Sequence, residues 1–558
     1  MTIRRFPLGP GIVFGLGLAV GAWFLRQGVA EGQSTAVGST LFDEVMDHVT
    51  DRYVDPMDTE VLYDSAIGGV LKSLVDPNTV LFSRESYENF RIQTEGDYSG
   101  VGLEIAERGD FVTVVGPIPG GPGQRAGIRA GDRLLAVEGS SASGWPVQQA
   151  VGVLRGEAGT SVHVQIGRDG VDEPIEFDLV REEIQLHAVP FATLLESGIG
   201  YVPLSIFSES SSGEVRAAAD SLRRAGATSF VLDLRGNPGG ILDQGVGIAD
   251  LFLERGADVV ETRGRDARPT GTLRASGGDR FPGAPVVVLV DRGSASASEI
   301  VAGALQDHDR ALLIGSTTYG KGSVQTLFPL SAGNVLKLTT ARWFTPQGRS
   351  IERDHKADAA AEAAAIAAGS PIGTLTIFGE LTVPPDTAGR PTLTSVGGRT
   401  LFGGGGIVPD LLVANDTLST VEQEAVRRLF AEGGRFVNGV FDFSVQFLNG
   451  AGNRNAGFEV TDADLERLYA WLRDERGIQV DVDTFRQAAR FVRIDLESEI
   501  AQQGWGQLEA FRRGMPNDAA LQRAIELLRV ARSPGDLFTL AASPPLPGRS
   551  AATAGAGL

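Results

Sequence analysis

The 558 residues predict a multidomain α/β protein, and three changes of texture along the chain predict it. Apolar residues at helical spacing give way near residue 97 to short apolar runs broken by glycine. Near 199 these become strands alternating with helices, and after Asp410 helices alone. The parts are a helical N-terminal segment, a β-rich domain, an α/β core and a C-terminal helical extension. At roughly 150 residues per domain, the length suits three or four units.

The chain opens with Arg4 and Arg5, twenty uncharged residues from Phe6 to Leu25, then Arg26 and the small-residue patch Gly28-Val29-Ala30. Residues 1–30 read as an export signal, and such a run made helical reaches about 30 Å, enough for a bilayer. Arg26 suits a retained membrane anchor and Gly28-Val29-Ala30 a cleavage site, so both readings stand. Either places the rest of the chain outside the cytoplasm, periplasmic or anchored facing the periplasm. Within 38–96, Leu41, Val45, Val49 and Tyr53, then Leu62, Ala66, Val70 and Leu74, mark two helices, and Asp-Pro-Asn at 76–78 marks a turn. The β-rich domain, 97–183, has strands at 101–105, 111–115, 134–137, 162–166 and 175–180 and helices at 122–126 and 147–155. In the core, 184–414, strands at 200–205, 230–234, 286–290, 311–314, 324–329 and 335–341 alternate with helices at 213–225, 241–254 and 296–307. An Ala-rich helix at 356–368 lies in an insertion, 352–403. Helices at 419–432, 461–476, 482–502 and 517–531 make a C-terminal domain, 415–535, before a Pro-, Gly- and Ala-rich tail, 543–558, that reads as disordered.

The rare residues bound the chemistry. Without Cys there is no disulfide, thiolate metal site or Cys nucleophile. The five His (His48, His163, His187, His308, His355) include no local metal-ligand pair, so no metal is expected. A net charge of -20 argues against a general nucleic-acid binder. Only four of the 50 basic residues are Lys: Lys72, Lys321, Lys337 and Lys356.

The most informative segment runs from Pro285 to Ile300, where a buried strand enters the turn Asp-Arg-Gly-Ser-Ala-Ser and then a helix. A serine at such a turn is presented at the sheet edge, with outward backbone N–H groups and a helix dipole behind it. The plainer reading is that Ser294 or Ser296 caps the helix, with Glu299 as capping-box partner, and caps far outnumber catalytic serines. A serine nucleophile needs a base. His308 lies twelve residues along the same helix, roughly 18 Å away, too far to serve. That leaves Lys321 in Gly320-Lys321-Gly322, just beyond the strand expected beside 286–290. A lysine base acts neutral, so it requires a desolvated site that lowers its pKa from about 10.4; arginine keeps its charge and cannot substitute. Gln325 shares a face with Lys321 if the segment is extended, and its amide would orient the amine without adding charge.

Gly315 to Lys321 also matches the first seven positions of the phosphate-binding G-x-x-x-x-G-K loop. The eighth position is Gly322 where Ser or Thr is needed, and a strand follows instead of a helix, so an NTPase ranks below a hydrolase. A third segment, Phe230 to Gly240, ends a strand in a Gly-rich turn whose amides can face a ligand.

Taken together, Leu-Arg-Gly-Asn-Pro-Gly-Gly (234–240), Gly-Ser-Ala-Ser-Ala-Ser-Glu-Ile (293–300), Gly-Lys-Gly-Ser-Val-Gln (320–325) and Thr-Pro-Gln-Gly-Arg-Ser-Ile (345–351) resemble the C-terminal processing, or tail-specific, serine proteases of the S41 peptidase family. Tyr53-Val-Asp-Pro and Tyr98 to Ile105 extend the resemblance, which spans about 38 to 414. It implies a ClpP/crotonase-like Ser-Lys protease core with Ser296 as nucleophile, Lys321 as general base and Gln325 as its positioning partner. The oxyanion hole would use the amide of Ala297 and one from Gly239 or Gly240, and no cofactor is needed. The β-rich domain is similar to a PDZ domain, which adds a peptide C-terminus to a sheet edge. Gly100, Val101, Gly102 and Leu103 match its carboxylate loop, and Leu103 and Ile105 would border the side-chain pocket. The expected partners are exported polypeptides with free, apolar C-termini. The chain departs from the family at Asp76-Pro-Asn-Thr, where Asp-Pro-His-Ser is usual, and at His308, where Tyr is frequent. The insertion and the C-terminal helices lie outside the familiar core and suit an oligomer interface, a lid or an adaptor site. A non-catalytic PDZ scaffold on a degenerate protease core is the competing class.

Overall fold

The computed structural model describes residues 37–266, 269–358, 374–382, 387–431, 434–450 and 455–543. The export segment, most of the Ala-rich helix at 356–368 and residues 544–558 of the tail lie outside them. Among the described residues no helix is long and apolar enough to cross a membrane.

Residues up to Phe82, with Leu327–Thr339, form one compact unit. Its helices α1 (37–52) and α2 (Thr59–Ser73) follow the apolar spacing. Asp58 starts α2 by accepting the Glu60 N–H at 2.8 Å, and β1 (Val80–Phe82) runs antiparallel to 335–337. The Asp76 carboxylate accepts the Asn78 N–H at 3.0 Å and the Thr79 hydroxyl at 2.6 Å, so the departure at 76–79 still makes a closed turn.

The second unit comprises Ser83–Thr326 and the chain from Thr340 onward. It begins with α3 (Arg84–Glu95) and the β-rich region: β2 (Asp97–Gly100), β3 (Leu103–Arg108), β4 (Phe111–Pro117), α4 (Pro122–Ala126), β5 (Arg133–Val137), β6 (Ser140–Ser141), α5 (Val147–Leu154), β7 (Ser161–Gly167), β8 (Ile175–Val180) and β9 (Glu182–Gln185). Strands β3, β4, β5, β7 and β8 make an antiparallel sheet in that order, which leaves β3 at an edge. Alternate residues of β7, namely Val162, Val164 and Ile166, are fully buried, the period-two signature of a sheet with one face in the core.

The α/β region contains β10 (Thr193–Leu195), β11 (Ile199–Pro203), α6 (Ser211–Arg224), β12 (Ser229–Asp233), α7 (Leu242–Asp250), β13 (Asp258–Arg263), β14 (Pro269–Arg274), β15 (Val286–Val290), α8 (Ala297–Asp307), β16 (Leu312–Gly315), β17 (Ser323–Pro329), β18 (Val335–Phe344) and β19 (Leu411–Leu412). The central sheet runs β10-β11-β12-β15-β16-β19, parallel from β11 onward. Every residue of β12 and β15 is buried, as a sheet covered on both faces requires. Helices α6, α7 and α8 cover one face. The hairpin β13–β14 was not among the expected strands, because its half-exposed polar residues make no apolar run.

The C-terminal helices are α9 (Thr420–Phe430), α10 (Arg435–Gly450), α11 (Asp462–Asp474), α12 (Val482–Gln487), α13 (Ala489–Trp505), α14 (Gln507–Gly514), α15 (Ala519–Val530) and α16 (Pro534–Ala541). Helices α9 to α13 share one apolar core. By contrast α15 and α16 pack on the second face of the central sheet, where Leu521, Ile525 and Leu528 meet Ile199, Val231, Val287 and Leu312. Helix α10 was not among the expected helices, because its Phe, Val and Gly residues are weak helix formers; Phe436, Val440, Phe441, Phe443, Ser444 and Phe447 are buried.

Candidate active site

Three loops leave the carboxyl ends of the neighbouring parallel strands β12, β15 and β16. That is where an open α/β sheet presents its chemistry. The three motif segments occupy these loops: 234–240 after β12, 291–296 after β15 and 316–322 after β16.

Ser296 sits at the N-cap of α8 with φ 54° and ψ −113°. A non-glycine residue holds such a conformation at a cost of about 1–3 kcal/mol. Its neighbours explain how. The Ser294 hydroxyl donates to the Leu234 carbonyl at 2.8 Å and the Ser298 hydroxyl to the Asn237 carbonyl at 3.0 Å, both from fully buried positions. The Ala295 N–H adds a bond to the Asn237 carbonyl at 3.0 Å. The turn after β15 is thereby pinned to the turn after β12, and Ser296 is the partly exposed serine of the three.

The glycine turn closes on the same point. A side chain at Gly239 (φ +92°) would lie 2.8 Å from Ser296 Cβ and 2.9 Å from the Ala297 nitrogen. One at Gly240 would lie 2.2 Å from the Phe207 carbonyl oxygen. The buried Gly239 donates its N–H to Asn237 Oδ1 at 2.8 Å, whereas Gly240 is exposed. Ala297 opens α8, so its N–H has no partner within the helix.

Lys321 is half-buried and its backbone is held at both ends. The N–H donates to Glu299 Oε2 at 2.9 Å, and the carbonyl accepts the Trp343 indole N–H at 3.2 Å. Strand β17 begins only at Ser323, so Lys321 precedes the extended segment that carries Gln325; the Gln325 amide donates to Ser323 Oγ at 2.9 Å. Because a strand follows Lys321, the G-x-x-x-x-G-K stretch has no helix N-terminus to receive phosphate. The His308 imidazole lies at the far end of α8, 2.7 Å from the Asp258 carbonyl.

The residue whose role sequence reasoning missed is Glu299. Its carboxylate is fully buried. Oε2 accepts the N–H of Ser296 at 2.8 Å and of Lys321 at 2.9 Å; Oε1 accepts the Thr318 hydroxyl at 2.6 Å and the Gly320 N–H at 2.7 Å. Burial pushes its pKa up against the pull of these donors. The bond to Ser296 is the local capping contact that spacing foretells. The bonds to residues 318–321 cross between loops, and no periodicity signals them. Arg235 was likewise not singled out: its guanidinium forks between Asp233 (2.6 and 2.9 Å) and Asp518 (2.7 and 3.0 Å), which joins the end of β12 to the N-cap of α15.

In the β-rich region, Gly100, Val101 and Gly102 link β2 to β3. The Val101 carbonyl accepts the Gly123 N–H and the Gly102 carbonyl the Ile118 N–H, each at 2.9 Å. Leu103 lines a cleft of about 1820 Å³. Ile105 packs with the region's own core.

Residues 198–359 match peptidase family S41 and residues 113–168 a PDZ domain. The chain is 40% identical over 324 residues to a carboxy-terminal-processing protease of Bartonella bacilliformis, an alignment covering 57% of this chain and 74% of that one. It is 33% identical over 324 residues to a carboxy-terminal processing protease of Bacillus subtilis, covering 58% and 69%. Among solved structures, a photosystem II D1 C-terminal processing protease is 33% identical with a TM-score of 0.34, covering 55% of this chain and 82% of that one.

Proposed function

The chain belongs to peptidase family S41 as a carboxy-terminal-processing, serine-type peptidase with a PDZ domain, and from that premise we propose that Ser296 is its nucleophile, Lys321 its general base and Gln325 the partner that orients the amine. Neutral Lys321 takes the hydroxyl proton as Ser296 Oγ attacks the peptide carbonyl. The resulting oxyanion receives the N–H groups of Ala297 and Gly240, since that of Gly239 is already given to Asn237. The lysine ammonium then protonates the leaving amine. Water that gives its proton to the Lys321 amine then attacks the acyl-enzyme, and the ammonium returns that proton to Ser296 Oγ as the ester bond breaks. Every proton moves between Ser296, Lys321, the leaving group and water, so no cofactor enters.

The observation that carries this reading is the Glu299 carboxylate, one oxygen of which holds the backbone N–H of both Ser296 and Lys321. Nucleophile and base thus grow from two points fastened to a single atom. The same proposal includes a ClpP/crotonase-like core within 184–414, a PDZ domain within 97–183, and a Phe6–Leu25 segment that delivers the chain outside the cytoplasm. Substrate tails with a free, apolar C-terminus add to the edge of β3, their carboxylate on the amides of Gly100 to Leu103.

The test is cleavage of an unstructured polypeptide with an apolar C-terminus, offered free and amidated. Wild type should cut the free form with at least about tenfold higher kcat/KM, while Ser296→Ala cuts neither. Full activity in Ser296→Ala, or equal cleavage of both forms by wild type, would overturn the assignment.

A further inference from the structure

The cleft that Leu103 lines has a second wall outside the PDZ domain. On the PDZ side stand Leu103 at the start of the edge strand and Val147 and Val151 on α5. Facing the same space are Val445 and Leu448 of α10 and Trp505 at the end of α13. Contacts from Arg108 and at Gly131 hold α10 against the PDZ sheet. Arg108, the last residue of β3, donates to Asn438 Oδ1 at 2.9 Å and lies 3.8 Å over the Phe441 ring. Gly131 has no side chain where Val445 approaches; a Cβ there would stand 2.8 Å from Val445 Cγ1. The helix therefore runs beside the groove because a glycine lets it.

At about 1820 Å³ the space exceeds the roughly 300–1,000 Å³ of small-molecule sites, and the start of an edge strand, Leu103 and Glu104, opens onto it with unpaired backbone groups along its free edge. An extended polypeptide is the ligand that satisfies such an edge. Apolar side chains on both walls call for an apolar tail. Trp505 is 36% exposed and stacked on Phe458, ring centroids 5.5 Å apart and 19° between planes, so it offers a large surface already held in place.

We propose that the C-terminal helices α10 and α13 form the second wall of the substrate-tail groove, so that a tail is selected by these helices and the PDZ domain together. The proposal rests on the tail-binding role given to β3 above. It assigns to the C-terminal extension a part in specificity.

The experiment measures binding of a short fluorescent peptide with a free carboxylate and an apolar C-terminus to the full chain carrying Ser296→Ala, by anisotropy. Trp505→Ala and Leu448→Gln, each added to that background and checked for an unchanged thermal midpoint, should raise Kd about tenfold. Leu103→Glu, on the PDZ wall, should abolish binding. Loss in Leu103→Glu with wild-type Kd in both helix variants would overturn the second wall and leave the PDZ reading standing. Wild-type Kd in all three would overturn both.

Discussion

Ser296 occupies a backbone conformation that glycine adopts at no steric cost, and the chain keeps a serine there. Strain retained at the position proposed to supply the nucleophilic alcohol fits a site held at a cost in stability. Ser296→Gly should therefore be more stable than Ser296→Ala by about 1–2 kcal/mol in chemical denaturation, both being inactive. Equal stability would mean the turn carries no strain. Glu299 makes a sharper case. Glutamine in its place turns an N–H toward groups that are themselves donors, leaving buried N–H groups unsatisfied at about 1–3 kcal/mol. Because Glu299 touches the loops and not the substrate, Glu299→Gln should lower kcat with KM nearly unchanged. Thr318→Ser, which keeps the hydroxyl for Glu299 and for the Ile407 N–H, should cost far less. A rise in KM alone would contradict this. Ser296, Lys321 and the glycine turn could be put forward as candidates because each lies in a local pattern: a strand, a small-residue turn, a helix start. The four-way role of Glu299 could not, since three of its four partners come from another loop.

At the scale of elements, sequence patterns found long apolar runs and missed segments without them or poor in helix formers. Strands β12 and β15 and helix α8 stood out as apolar runs. The hairpin β13–β14 is polar on a half-exposed face, and α10 is rich in Phe, Val and Gly, which are weak helix formers, so neither stood out. Within α13, burial pushes the Asp495 carboxyl up to about 6, helped by Glu499 one turn on. The native state thus binds this proton more tightly than the unfolded chain, whose Asp titrates near 3.9. Its contribution to stability is full below about pH 4 and is lost as pH rises through about 6. Asp495→Asn should accordingly raise the thermal midpoint at about pH 8 and leave it nearly unchanged near pH 4. The opposite pattern would show the carboxylate to be stabilising. In the segment 345–351, Arg349 and Asp307 form a fully buried ion pair that ties this loop to the end of α8. Arg349→Ala strands a buried carboxylate and should cost about 3–5 kcal/mol in chemical denaturation.

Taken as a whole molecule, the C-terminal extension is not an appendage. Helices α15 and α16 cover one face of the parallel sheet whose strand ends carry the candidate active-site loops, and Arg235 fastens α15 to the end of β12. A chain ending before Ala519 would expose a face built from Ile199, Val231, Val287 and Leu312, and should be recovered insoluble. A soluble truncation with a cooperative melt would contradict that layering. This was illegible in the sequence because helical periodicity says that a face is apolar and not what it will cover. Composition, by contrast, pointed toward the chemistry. With no Cys and only four Lys among 50 basic residues, Lys321 is proposed as the base that arginine cannot replace. The most direct measurement is the cleavage rate of Lys321→Arg on an unstructured, apolar-tailed polypeptide, set against wild type and Ser296→Ala. Arginine preserves charge and length but cannot give up its proton. The rate should fall to the Ser296→Ala level, at least about a thousandfold below wild type. A rate within tenfold of wild type would contradict a lysine base.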